Sequence, residues 1–151
     1  MSKVSRDQVF ISYSHKDKAW LEKLQTMLKP LVRRNSISVW EDTKIKPGSL
    51  WKEEIQRALA LAKVAVLLVS RNFLGSDFIA EHELPPLLEA SKKDGLTILW
   101  VYVGACLYEE TEIKDYQAAH DPSRPLNKLS RAEQEEVLAS ICRRIKEAAN
   151  P

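Results

Sequence analysis

V-A-V-L-L-V, residues 64–69, is an apolar run with no polar residue alternating through it. A strand with one wet face alternates apolar and polar side chains, whereas a parallel strand covered by helices on both faces does not. The run is far short of the ~20 residues that a helix needs to cross a bilayer. So is I-L-W-V-Y-V-G-A-C-L-Y, residues 98–108. Both read as buried strands of a parallel sheet.

Working outward from these runs, strands and helical stripes alternate. V-F-I-S-Y (9–13) and I-S-V-W (37–40) are further strand candidates, and residues 64–70 and 97–103 bound the first two. Between them, residues 16–34 carry Trp20, Leu21, Leu24, Leu28, Leu31 and Val32 at helical spacing, with Pro30 expected to interrupt near the end. Residues 51–62 put Ile55, Ala58, Leu59 and Ala62 on one face, and a third helix falls in 76–93, ahead of the turn K-K-D-G. S-R-A-E (130–133) is a capping box opening a last helix with Val137, Leu138, Ile141, Cys142 and Ile145 as its buried stripe. The polar segment 108–129, with Pro122 and Pro125, reads either as a long ordered loop or as a lid, and has room for a fifth strand.

This alternation predicts a flavodoxin-like, doubly wound α/β fold: a parallel sheet of four to five strands in the order 2-1-3-4-5, with helices on both faces. At 151 residues the chain is expected to form one domain, with its core over 8–149. In such sheets ligands bind beyond the carboxyl ends of the strands, where the winding reverses. That rule selects residues 12–17, 41–49 and 71–83.

Composition removes several function classes. With 23 basic and 21 acidic residues the net charge is +2, which supports neither a nucleic-acid nor a membrane-surface partner. The polar start M-S-K-V-S-R-D-Q has no apolar leader core, and a cytoplasmic location is expected. Cys106 and Cys142 form no C-x-x-C pair, and the three histidines have no zinc-site spacing, so no metal is expected. No glycine precedes Gly48, which excludes a Rossmann fingerprint or a P-loop in the first turn. The S-Y-S-H-K that follows the first strand lacks the acidic cluster of a phosphorelay receiver.

V-F-I-S-Y-S-H-K-D (9–17), E-D-T-K-I-K-P-G-S-L-W-K-E-E-I (41–55) and V-A-V-L-L-V-S-R-N-F-L-G-S-D-F-I (64–79), followed by E-L (83–84), resemble the boxes of a Toll/interleukin-1 receptor (TIR) domain of the bacterial branch. The resemblance implies cleavage of the nicotinamide–ribose bond of NAD+, giving ADP-ribose or a cyclic isomer in bacterial defence or cell-death signalling. NAD+ is then a substrate and no cofactor is needed. It also implies homotypic self-association with other TIR domains through the second box, the BB loop: Asp42, Ile45, Lys46, Pro47 and Gly48. The family's catalytic glutamate falls on Glu83, with Glu81 as a rival.

The usual spacing places that glutamate four residues beyond an aromatic, but four beyond Phe78 is His82. Either Ile79 takes the aromatic's place or the backbone bulges. Pro85 and Pro86 favour a helix break near residues 82–84 that would aim Glu83 into the crevice. Ser12, Tyr13, Ser14, His15, Lys44, Trp51, Phe78 and Ile79 are the candidate substrate contacts. Trp51, four residues ahead of Ile55, also reads as helix packing, and Trp40 and Phe73 as core. Two other classes stay open: a non-enzymatic adaptor that assembles through the BB loop, and a module that binds nucleotide without cleaving it.

Overall fold

In a computed structural model describing residues 6–42 and 50–151, the opening apolar run lies within β3 (Ala62–Val69), where every residue but Lys63 is buried. β3 occupies the centre of a five-stranded sheet ordered β2-β1-β3-β4-β5. Its neighbours are β1 (Gln8–Ser12) and β4 (Thr97–Tyr102), with β2 (Ser38–Trp40) and β5 (Gln117–Ala118) at the edges. All four pairings are parallel. This is the predicted flavodoxin-like order.

The unbroken apolar runs have a direct cause. Val64, Val66 and Leu68 face one layer with Val9, Ile11, Leu99 and Val101, against α1 (Lys18–Arg33) and α5 (Arg131–Ala149). Ala65, Leu67 and Val69 face the other with Phe10, Ile98 and Trp100, against α2 (Trp51–Leu61), the short α3 (Arg71–Leu74) and α4 (Leu84–Lys93). Each face of the sheet has a helical cover, so neither alternate set of side chains meets water. Trp40 stacks on Phe10 at 5.1 Å and Phe73 is fully buried, both as expected.

Two local expectations change. Pro30 does not interrupt α1, which runs through it to Arg33. Pro30 is exposed, so the Thr26 carbonyl that loses its N–H donor stays accessible to water. The segment 108–129 is an ordered, packed loop and supplies β5. Ile113 and Leu126 are buried in opposite layers. The Trp100 indole donates to the Tyr116 carbonyl at 2.9 Å, and beyond β5 the His120 Nε2 accepts the Tyr102 N–H at 2.9 Å, a side chain continuing the ladder. The K-K-D-G turn uses Gly95 at φ +76°, a left-handed conformation that strains other residues. The capping box on α5 forms in full, Ser130 and Glu133 each accepting the other's backbone N–H.

Candidate functional site

The two prolines shape the local backbone. They do not break the helix; they widen it. Residues Ile79–Glu83 form a π-helical turn that runs without interruption into α4, closed by the Leu84 N–H donating to the Ile79 carbonyl five residues back. Pro85 and Pro86 have no N–H to give to the preceding turn, and their rings crowd the carbonyls four residues earlier. A wider turn relieves that crowding and absorbs an extra residue. The backbone therefore bulges, and the five-residue step from Phe78 to Glu83 lies on this turn. Ser76 starts it, its hydroxyl accepting the Ile79 N–H at 3.2 Å.

The bulge sends Glu83 inward. Its side chain is buried, 5 % exposed, and Oε1 accepts a 2.8 Å hydrogen bond from the Ser12 hydroxyl at the end of β1. Burial raises its pKa from the usual 4.5 to about 7; the Ser12 bond opposes the rise, the nearby Asp42 charge adds to it, and His15 opposes it more weakly. Glu83 lines a cavity of about 410 Å³ at the carboxyl ends of the strands, between the loops that follow β1, β2 and β3. Glu81, the rival, is exposed, with His82 3.9 Å away.

Across the cavity, Tyr13 donates its phenolic hydrogen to Asp42 Oδ1 at 2.8 Å, and His15 Nε2 meets Asp42 Oδ2. Burial and the Asp42 bond both raise the Tyr13 pKa, which keeps the phenol protonated and donating. The rim is aromatic. The Trp51 and Phe78 rings lie 5.3 Å apart, and His82 packs against both, 5.9 Å from Trp51 and 5.1 Å from Phe78.

Of the expected contacts, Tyr13, Ser14, His15, Trp51, Phe78 and Ile79 line the cavity with Glu83. Trp51 is 41 % exposed, so packing inside the helix layer is not its role. Ser12 is 1 % exposed and turns its hydroxyl to Glu83, which makes it a support for the carboxylate and not a surface for a ligand. Ile79 is largely core, at 3 % exposure. Lys44, Ile45, Lys46, Pro47 and Gly48 lie outside the described residues. Asp42, assigned beforehand to the self-association loop, is a wall of the cavity. The switch-point rule selects the segment 41–49 without singling out Asp42; the β1–β2 register that sets Phe10 beside Trp40 brings the end of β2 next to Tyr13. Lys16, Ile55 and Ser76 complete the lining; Lys16 and Ser76 lie within the segments that the switch-point rule selects, and Ile55 was expected only as helix packing.

A sequence profile of the TIR domain family matches residues 9–139. An uncharacterized protein of Sinorhizobium fredii, y4lF, is 24 % identical over 141 residues; the match covers 93 % of this chain, which spans 43 % of that relative's length. Two solved structures share the fold. The TIR domain of the Toll-related receptor TRR-2 from Hydra magnipapillata superposes with a TM-score of 0.51 at 17 % identity, covering 73 % of this chain and 82 % of its own. The TIR domains of the activated Roq1 resistosome, which recognises the pathogen effector XopQ, give a TM-score of 0.51 at 18 % identity, covering 90 % and 83 %.

Proposed function

We propose, on the premise that the chain belongs to the TIR domain family, that it cleaves NAD+ at the nicotinamide–ribose bond, with Glu83 as the catalytic carboxylate. The observation that carries this reading is the buried Glu83, held by Ser12 and facing an aromatic-rimmed cavity at the topological switch point. Nicotinamide leaves a cationic pyridinium as a neutral molecule, so the departing group needs no general acid. The ribose gains oxocarbenium character, as in glycoside cleavage. A carboxylate sealed from water stabilises that cation far more than an exposed one. Its pKa of about 7 keeps a large anionic fraction at neutral pH, on a group that burial otherwise drives toward the acid form. Trp51 and Phe78 offer flat apolar faces to a heterocycle.

Assembly belongs to the same reading. Trp51 and Phe78 are 41 % and 36 % exposed at the rim, and Leu50, next to Trp51 in the chain, is 67 % exposed, apolar area that a second copy would cover. The Roq1 relative acts within a resistosome, which supports activation by self-association in defence signalling. The same exposed patch is what favours the second reading, an adaptor that assembles without chemistry.

Turnover separates the two. Purified protein at high concentration with a crowding agent, incubated with NAD+ and analysed by chromatography, is expected to release nicotinamide, and Glu83→Gln is expected to cut release by about 10³-fold. Assembly of wild type without nicotinamide release would leave the adaptor.

A further inference from the structure

Glu83 offsets the charge of the sugar cation; the proton shed by the incoming nucleophile also needs an acceptor. Glu83 becomes free to take it only once the cation is discharged, so a base already placed beside the nucleophile spares it that second role. The cavity contains a second titratable unit. Asp42 is gripped by the Tyr13 hydroxyl at Oδ1 and by the His15 ring at Oδ2. The Asp42 side chain is 19 % exposed and that of His15 77 % exposed, on the cavity wall. Tyr13 also packs against the imidazole, ring centroids 5.6 Å apart.

This arrangement defines the imidazole. In the neutral ring, a carboxylate on Nε2 favours the hydrogen there and leaves Nδ1 with its lone pair, the relation by which an aspartate orients a histidine base. Nδ1 has no hydrogen bond among the described residues. We propose that His15, oriented by Asp42 and through it by Tyr13, is the proton acceptor that completes capture of the ribosyl cation. The inference rests on the NAD+-cleaving reading above.

The step balances as follows. The bond from C1′ to the pyridinium nitrogen breaks and its electron pair goes to that nitrogen, releasing neutral nicotinamide. An oxygen nucleophile, water or a hydroxyl of the substrate itself, gives a lone pair to C1′. Its hydrogen passes to His15 Nδ1, and the imidazolium rests against the Asp42 carboxylate. The exposed ring then returns the proton to solvent. His15 is the catalytic residue of this step; Asp42 and Tyr13 are positioning residues.

Without a base, the cation survives longer and is recaptured by nicotinamide. The test therefore measures, in the same samples, net NAD+ loss and incorporation of labelled nicotinamide into NAD+. His15→Gln is expected to lower net loss by about 10²-fold, the scale of general-base assistance. Exchange should fall much less, so the exchange-to-net ratio rises at least tenfold. Asp42→Asn should move the ratio the same way. A wild-type ratio in His15→Gln would overturn the proposal. So would its restoration by His15→Lys, which would make the residue a cation and not a base. The underlying reading fails separately: Glu83→Gln retaining both activities would remove Glu83 alone, and wild type showing neither would remove both ideas.

Discussion

Asp17 and Glu83 are both buried carboxylates beyond the carboxyl ends of the central strands, and they are built in opposite ways. Asp17, 7 % exposed, sits in the turn after β1. Its Oδ2 accepts the hydroxyl of Ser70, which follows β3 and caps α3, and its Oδ1 accepts the Asn72 amide at 3.0 Å. Ser70 in turn accepts the Phe73 N–H at 3.1 Å, so Asp17 ties the β1 loop to the start of α3. Glu83, 5 % exposed, receives one hydroxyl from Ser12, and burial leaves it with a pKa near 7. A buried charge whose two oxygens each accept a donor, as in Asp17, holds structure together; Glu83, with a single donor among the described residues and a cavity beside it, is the better candidate for meeting a ligand.

The comparison predicts opposite responses to removing each group. The largest effect is on chemistry: Glu83→Gln should cut turnover by about 10³-fold, the scale of a preorganised electrostatic contact, with circular dichroism unchanged. If Glu83 is the catalytic carboxylate as proposed, kcat/KM of the wild type should fall as pH drops through about 7, because that chemistry uses its anion. An activity plateau down to pH 5 would assign the work to another group.

Next comes Asp17→Ala, which strands the Ser70 hydroxyl and the Asn72 amide without their acceptor. Denaturant melts should show a loss of about 3 kcal/mol. Little change there would mean that Asp17 does not hold the β1 loop to α3.

A smaller effect of opposite sign is expected at Glu83. Its pKa is raised on folding, so the native state binds more protons than the unfolded chain between about 4.5 and about 7, and stability falls as pH rises through that window. Glu83→Gln should therefore be more stable than wild type at pH 8, by about 2 kcal/mol, and should match it below pH 4. The same substitution that destroys activity would strengthen the fold, the trade-off expected of a functional site. Equal stabilities at both pH values would show that burial does not shift this group. The smallest effect belongs to Glu81→Ala, an exposed neighbour: within about 0.5 kcal/mol in stability and about twofold in rate.

Sheet order and both layers were legible in the chain because they depend on periodicity, which survives without any partner being known. The same holds for the capping box at Ser130 and the Gly95 turn, which are local. Glu83 was reachable only through the resemblance in E-L and the placement of Pro85 and Pro86; its composition alone reads as a solvated charge. The extra residue after Phe78 left a bulge open, but the proline pair pointed to a break near residues 82–84, and the chain instead runs through a π turn into α4.

Periodicity, spacing and the proline pair were thus sufficient for the architecture and for the neighbourhood of the site, since each is a property of residues close in sequence. Tertiary structure alone decided that Ser12 supports Glu83 from 71 residues away, that Asp42 joins Tyr13 and His15 in the same cavity, and that Trp51 forms a rim with Phe78 and not a core contact. Those outcomes depend on strand register and on how far each helix tilts its side chains from water, and neither is written in the order of residues along one segment.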